Sequence, residues 1–393
     1  MTAPARPRRP APPRSRLAPA PAAAVPVSTL GAAQLDELLA GMGLPAWRGR
    51  QIRDAVWQPF ITGMDDVRQF PAGLREELDR RLLFLTAEVA SESVADAGLT
   101  MKLLCRLGDG LTVETVAMES PAIRRRRRAT VCVSTQVGCA VGCPFCATGR
   151  MGLRRSCTAA EVVDQVRLAG QALHRHGFGP PTHAVYMGMG EPLLAYETTV
   201  SSIRALARDG GISPRRITVS TSGVVPGIDR LAGEGLPVTL AISLHAATDE
   251  LRDRLVPLNR AHPLRRLLAS AGGYAQASGR RLSLEWCLIG GVNDTPEQAR
   301  RLGEIAARLH AHVNVIPMNR IEGSPWGPPP PETARAFLRA LDGVTMTVRD
   351  TRGAGADAAC GQLRASLETR RHLRPDGTLG PPQRPVRGAA GPR

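Results

Sequence analysis

Three cysteines on one short segment are the residues of this sequence best suited to bind a metal centre. Cys139, Cys143 and Cys146 have C-x3-C-x2-C spacing in GCAVGCPFC, directly after a strand-like run. A structural zinc ion normally needs a fourth ligand, for which Cys157 and His174 are the candidates. A [4Fe-4S] cluster held by three cysteines instead leaves one iron open to a substrate or cofactor. The spacing favours the cluster over zinc, and over three buried structural cysteines.

Two further cysteines have no ligand spacing to any other residue. Cys132 lies in the strand-like run before the triplet and is typical of a small core residue. Cys360 lies between Gly355 and Gly361 in a predicted loop, where a thiol is more often reactive than structural. Eight clustered cysteines in a chain of 393 residues do not fit a secreted disulfide scaffold.

Strand-like and helix-like segments alternate from Ala129 onward and must position these cysteines. The strand-like runs include ATVCVS, THAVYMGM, RRITVS, VTLAISLH, LSLEWCLI and HVNVIPM. About six βα units predict an α/β fold with a parallel sheet, a partial (βα)6 TIM-type barrel. In such folds the chemistry gathers at the carboxyl ends of the strands.

A series of motifs around this barrel resembles one enzyme family. CVSTQVGCAVGCPFCATG, MGMGEPLL, STSGVVP, AISLHA, NVIPMN and TRGAGADAACGQL occur in that order. They resemble the radical S-adenosylmethionine (SAM) methyltransferases that modify adenine C2 in 23S ribosomal RNA and transfer RNA, over residues 28–367. The adenine-C8 antibiotic-resistance methyltransferases are close relatives. GRMGLRR over 149–155 resembles those C8 enzymes, whereas MGMGEPLL and TRGAGADAACGQL are more similar to the C2 enzymes.

The resemblance implies two cofactors and the residues that bind them. Cys139, Cys143 and Cys146 would hold a [4Fe-4S] cluster whose open iron chelates SAM. The implied SAM contacts are Gly190 and Glu191 at the amino group, Ser220, Ser243, Leu244 and His245 on the ribose and carboxylate side, and Asn319 at the adenine end. All of these lie at or just after predicted strand ends, as the barrel requires.

The resemblance also implies catalytic roles for three residues. Cys360 would be methylated by one SAM and carry the carbon to adenine after a second SAM is cleaved to a radical. Cys132 would form a transient disulfide with Cys360 to release the RNA. Glu114 in VETV would accept the ring proton, although about five extra residues, in SPAIRRRRR, separate Glu114 from Cys132 relative to the family spacing.

Composition changes along the chain predict five regions. Residues 1–27 and 368–393 are rich in Pro and Arg and predict disordered tails. Apolar residues three and four apart predict a helical, RNA-contacting domain over 28–85. A β-rich linker with a turn at Gly108-Asp109-Gly110 and an Arg-rich loop follows over 86–128, and the barrel with the carrier-cysteine loop spans 129–367.

The net charge of +16 makes a polyanion the first partner to consider. Lys102 is the only lysine, so 50 of the 51 cations are arginine, which is partly codon bias. The candidate RNA contacts are Arg124 to Arg128, Arg48, Arg50, Arg53, Trp47 and Trp57. The resemblance adds an electron donor such as flavodoxin or ferredoxin as a partner.

Hydropathy predicts neither a membrane segment nor a signal peptide, so we expect a cytoplasmic protein, and a monomer. Two alternatives to the C2 and C8 methyltransferases stay open. One is a radical SAM enzyme with another RNA modification, in which Cys360 is coincidental. The other is a zinc-stabilised RNA-binding module without catalytic activity.

Overall fold

The computed structural model describes residues 24–123, 126–341, 343–349 and 361–363. Its strands are β1 (Val25–Pro26), β2 (Leu82–Leu83), β3 (Ala87–Ala95), β4 (Thr100–Leu107), β5 (Thr112–Ile123), β6 (Arg126–Cys132), β7 (Gln136–Gly138), β8 (Leu153–Ser156), β9 (His183–Tyr186), β10 (Ile217–Thr221), β11 (Thr239–Ser243), β12 (Ser283–Leu288), β13 (His312–Pro317) and β14 (Met346–Val348). Its α-helices are α1 (Ala32–Ala40), α2 (Trp47–Val56), α3 (Ala72–Arg81), α4 (Ala147–Arg150), α5 (Ala159–Arg175), α6 (Tyr196–Arg208), α7 (Val225–Ala232), α8 (Asp249–Leu255), α9 (Leu264–Ser278), α10 (Pro296–Arg308) and α11 (Pro331–Ala340).

A ten-stranded sheet in the order β14-β13-β12-β11-β10-β9-β6-β5-β4-β3 forms the centre of the fold. Strands β6 and β9 to β14 pair in parallel, whereas β3, β4, β5 and β6 pair antiparallel. Among the described residues no pairing joins β14 to β3, so the sheet is open. The α/β fold with a partial barrel is therefore confirmed, with the antiparallel strands as an extension of its first edge.

The two faces of the parallel strands differ in polarity. Val131, Ala184, Val219, Ile242 and Leu284 are fully buried in the main apolar core. Side chains alternate along a strand, so the residues between them point into the barrel. On that inner face the parallel register brings polar side chains side by side, such as Ser243, Glu285 and Asn314. The barrel interior can therefore bind a polar ligand.

The barrel's first helix begins with a capping box. In α5, the Thr158 hydroxyl accepts from the backbone N–H of Glu161, and the Glu161 carboxylate accepts from the N–H of Thr158 at 2.7 Å. This pair satisfies two N–H groups that a helix start leaves without helical partners. The cap fixes where α5 starts, and with it the end of the loop that carries the cysteines.

Helices α1 to α3 surround a second apolar core, which includes Leu35, Leu39 and Ile52. Hydrogen bonds from a side chain on α5 connect this region to the barrel. The buried Arg167 donates to the carbonyl oxygens of Val56 and Phe84 and forms an ion pair with Asp164 at 2.7 Å. The division at residue 85 into two domains stays a prediction.

The structure differs from the predictions made from the sequence at three places. The predicted N-terminal tail ends too late, because Val25–Pro26 pairs with Leu82–Leu83 and anchors the chain there. Strand β6 begins at Arg126, inside the predicted Arg-rich loop, because pairing with β5 extends beyond the apolar run. Helix α7 was not predicted, since eight residues give too short a window for helical periodicity.

No helix in the described ranges has both the length and the apolar composition needed to cross a membrane.

Candidate active site

The three-cysteine segment lies in the loop after β6, between β7 and β8, which pair antiparallel. Helix α4 starts directly after Cys146 and packs back on this loop. A Cβ on Gly149 would fall 2.7 Å from the carbonyl oxygen of Cys143, closer than real contacts allow. Glycine at this position therefore lets α4 cover the cysteine segment.

One cavity at the carboxyl end of the barrel brings together nine predicted metal and SAM residues. They are Cys139, Cys143, Cys146, Gly190, Glu191, Ser220, Ser243, His245 and Asn319. Leu244 is the exception, because its side chain is fully buried in the core and only its backbone lies near the site. The carboxyl-end location follows from the strand order and was predicted.

The three cysteines are half-buried, and desolvation of the thiols raises the pKa of Cys139 to about 11 and that of Cys143 well above its usual range. A thiolate there needs a cationic partner, which an iron cluster provides. In the described part of the chain, no three His, Cys, Asp or Glu side chains converge on one ion position. Cysteines that each bind a different iron need not converge on a single ion, so the donor set fits a cluster.

The predicted fourth ligands of a zinc site lie elsewhere. Cys157 is buried in the main core and His174 is exposed on α5, and neither lines the cavity. Cys287, at the end of β12, does line the cavity, although sequence analysis gave it no role.

Glu191 connects two of the loops that form the cavity. Its carboxylate accepts from the N–H and hydroxyl of Ser222, at 2.8 and 2.7 Å, and from the N–H of Leu193 at 3.1 Å. Burial nevertheless raises the pKa of this carboxyl group. Gly190 has φ of 97° and approaches Gln136 too closely for a Cβ. The loop after β9 is thus fixed to the loop after β10.

His245 adopts a backbone conformation that is unusual for a residue with a side chain, with φ of 59°. Its Nδ1 accepts from the N–H of Cys287 at 3.0 Å, so the neutral ring carries its proton on Nε2. Burial, together with the nearby Arg252, lowers the pKa of His245 to about 3. The imidazole is therefore neutral and fixed against the edge of Phe145, with ring centroids 4.9 Å apart.

Arg252 is a fully buried cation, bonded to two residues that line the cavity, that the sequence did not single out. Its guanidinium donates to the carbonyl oxygens of Ser222, Ser243 and Leu244 and to Asn259 Oδ1. Burial lowers the pKa of Arg252 to about 10, so it stays charged at neutral pH. It ties together the loops after β10 and β11, and no local sequence pattern could have revealed partners so far apart.

Glu114 on β5 and Cys132 on β6 lie on neighbouring strands of the sheet. Cys132 pairs with Val116 on β5, and strand alternation puts Glu114 on the same face as Val116. Glu114 is 3% exposed and its Oε1 lies 3.1 Å from Lys102 Nζ. The only lysine of the chain thus pairs with the predicted proton acceptor. The sequence composition already singles out Lys102, because every other cation is an arginine.

Cys360 lies outside the described residues, but the three residues after it are bound at the cavity. Gly361 lines the cavity and its carbonyl oxygen accepts from the N–H of Ala147 at 2.9 Å. Thr148 donates to the carbonyl oxygen of Leu363 at 2.6 Å. Both contacts involve α4, which directly follows the cysteine triplet.

The predicted RNA contacts are only partly brought together. In α2, Arg48 stacks on the exposed Trp47 with 4.1 Å between the guanidinium carbon and the ring centre, and Arg50 is exposed. Arg53 instead lies 3.6 Å from Asp36, and Trp57 packs against both apolar cores. Arg127 and Arg128 are exposed on β6, whereas Arg124 and Arg125 lie outside the described residues.

Comparison with known proteins identifies the superfamily. The model of the radical SAM superfamily matches residues 133–303, which include the cysteine triplet and strands β9 to β12. This membership implies a [4Fe-4S] cluster and SAM as cofactors, which the donor set described above fits. A zinc-stabilised module without catalytic activity is thereby overturned.

Curated relatives and a solved structure cover nearly the whole chain. Two proteins named "Probable dual-specificity RNA methyltransferase RlmN" are each 45% identical to it: that of Bifidobacterium adolescentis, over 82% of this chain and 86% of the relative, and that of Salinispora tropica, over 89% and 96%. A radical SAM methyltransferase structure from Sphaerobacter thermophilus is also 45% identical, with a TM-score of 0.82, and covers 86% of this chain and 99% of the other. The chain belongs to the dual-specificity RNA methyltransferase family of the radical SAM superfamily.

Proposed function

We propose that this protein transfers a methyl group from SAM to C2 of adenine in RNA, with Cys360 as the carbon carrier. The substrates would be 23S ribosomal RNA and transfer RNA, in keeping with the family's dual specificity, and the enzyme would act in the cytoplasm. One observation carries the proposal: Gly361, the neighbour of Cys360, lines the same cavity as the three cysteines. A carrier must reach both the SAM site and the RNA base, and this cavity is where SAM would bind.

Cys139, Cys143 and Cys146 would hold the cluster, and the loops after β9, β10 and β11 would hold SAM. When bound, the cluster supplies the electron that cleaves SAM reductively, which makes an external one-electron donor such as flavodoxin or ferredoxin a necessary partner. The protein fixes the loops through Glu191 and Arg252. It also keeps His245 neutral, so no imidazolium charge lies beside the cationic SAM.

The three remaining residues would act on the carbon and the base. The Cys360 sulfur would carry the methyl carbon to the ring carbon, which is not a nucleophile and cannot be methylated by direct transfer. Glu114, fixed by Lys102, would take the proton from that ring carbon. The Cys132 thiolate would then attack the Cys360 sulfur and form a transient disulfide. The bond between that sulfur and the transferred carbon would break with its electron pair left on the carbon, which would take up a proton and become the methyl group of the freed RNA.

RNA would approach along exposed arginines outside the cavity. Arg48 stacked on Trp47 offers both a charge for phosphate and a flat surface for a base. Arg127 and Arg128 add charge on β6. Access to a ring carbon requires an unstacked adenine, so loops and bulges are the expected targets.

The decisive experiment is mass spectrometry of nucleosides from RNA treated with reconstituted enzyme, SAM and a reductant. We expect 2-methyladenosine; 8-methyladenosine would instead support the C8 alternative, and neither product would contradict both. Cys360→Ala should abolish methylation while SAM cleavage continues. Cys132→Ala should leave RNA covalently attached to the protein, which separates the release role from the carrier role.

A further inference from the structure

A buried carboxylate on the inner face of the barrel has no role in the proposed mechanism. Glu285 lies on β12, in register with Ser243 on β11 and Asn314 on β13. Its side chain lines the cavity, and the residue is 4% exposed. A carboxylate this deeply buried normally has hydrogen-bond partners for both oxygens.

The two oxygens of Glu285 differ in their surroundings. Oε1 accepts from the Ser283 hydroxyl at 2.7 Å and from Asn314 Nδ2 at 2.9 Å, and Asn314 also donates to Ser283 at 2.9 Å. These bonds fix the orientation of the side chain. Oε2 is buried and has no hydrogen-bond donor among the described residues. The fixed carboxylate thus keeps one acceptor without a donor from the described residues, on a residue that lines the cavity.

The neighbouring side chains indicate what would donate to that acceptor. The Ser220 and Ser243 hydroxyls lie 3.2 Å apart and beside Glu285 in the strand order β10-β11-β12. Asn319 follows β13, on the other side of β12. Glu285 therefore lies between residues proposed for the ribose side and the adenine end of SAM. The donors that SAM offers between those two positions are its ribose hydroxyls.

We propose that Glu285 is a SAM-binding residue whose Oε2 accepts a hydrogen bond from a ribose hydroxyl. This inference rests on the proposed function only in placing SAM in this cavity. The bond would be buried and charge-assisted, the stronger class of hydrogen bond. Glu285 would thus select ligands that carry a ribose diol.

The test is equilibrium binding of SAM and of its 2′-deoxy and 3′-deoxy analogues to the cluster-loaded protein by calorimetry. Glu285→Gln suits this test because the amide oxygen can keep accepting from Ser283 and Asn314. Only the acceptor facing the cavity is then replaced, by an amide NH2 group. Glu297→Gln, an exposed glutamate on α10, is the matched control.

We expect the wild-type protein to bind SAM about ten- to hundredfold more tightly than at least one deoxy analogue. Glu285→Gln should weaken SAM binding by a similar factor and remove that discrimination, with unchanged iron content and thermal stability. Unchanged SAM affinity in Glu285→Gln, or discrimination that survives the substitution, would overturn the proposal. Because binding is read without methyl transfer, a failure to detect methyladenosine would refute the proposed function and leave this result intact.

Discussion

Cys143 and Cys287 line the same cavity, but only Cys143 belongs to the loop that the cluster would bind. We expect Cys143→Ala to lose the cluster, because two remaining cysteines leave a second iron without a protein ligand. Cys287→Ala should keep it. Iron content and visible absorption after anaerobic reconstitution measure both variants. Loss of the cluster in Cys287→Ala would show that four cysteines, not three, hold it.

Lys102 is the one lysine in a chain that otherwise uses arginine for its cations. With Glu114 it forms a pair in which the side chains are 14% and 3% exposed. Removing one charge of a buried pair leaves the other poorly solvated, so Lys102→Met should lower the free energy of unfolding by about 3 kcal/mol. Urea denaturation measures this loss.

A double variant tests whether that loss comes from the Lys102–Glu114 pair itself. Lys102→Met combined with Glu114→Gln should be less destabilising than the two single losses added together. Arg300→Gln, which breaks an exposed ion pair with Glu297, should cost little and serves as the control. Strict additivity of the buried substitutions would contradict a direct coupling.

Arg252 joins the carboxyl ends of β10 and β11, where the proposed SAM contacts Ser220, Ser243, Leu244 and His245 lie. Arg252→Met would leave the carbonyl oxygens of Ser222 and Ser243 without this donor and loosen both strand ends. We expect SAM affinity to fall about tenfold or more, as for other residues that orient a binding site, and Arg252→Lys to recover part of it. Calorimetric titration with SAM measures this.

The control for Arg252 lies on the same helix. Arg254 is exposed on α8, two residues away, so Arg254→Met removes an equal charge without touching the loops. It should bind SAM like the wild type. If Arg252→Met unfolds more easily yet binds SAM normally, the role of Arg252 is confined to stability.

The strands were predictable because their apolar runs are long and bounded. Each of the six strand-like runs named from the sequence overlaps a strand of the parallel sheet, although β6 begins three residues earlier than its run. The residues that fix the shape of the cavity were not predictable from the sequence. In the sequence, Glu285 is one charged residue in a mostly apolar strand, and Arg252 is one of 50 arginines. The partners of both residues lie on other elements. Only the assembled structure shows that Glu285 lines the cavity and that the Arg252 guanidinium joins the strand ends around it.

For the whole molecule, the net charge of +16 is unevenly distributed. Residues 1–27, Arg124 to Arg128 and residues 369–393 contribute +5 each, which leaves about +1 for everything else. That remainder is itself uneven, because residues 28–123 carry −5 and the barrel region 129–367 carries +7. If arginines outside the barrel neutralise RNA phosphates, removing those arginines should change the affinity for RNA without changing the rate of methyl transfer.

We therefore expect truncation of residues 369–393 to reduce the salt dependence of RNA binding. For every phosphate that an arginine of this segment neutralises, its removal should lower the slope of log affinity against log salt by about 0.7 to 0.9. Methyl transfer in a single turnover at saturating RNA should stay unchanged, because the cavity is intact. Filter binding between low and physiological salt measures the slope. An unchanged slope would mean that this segment binds no phosphate, whereas a slower single turnover would mean that the segment also helps to position the base.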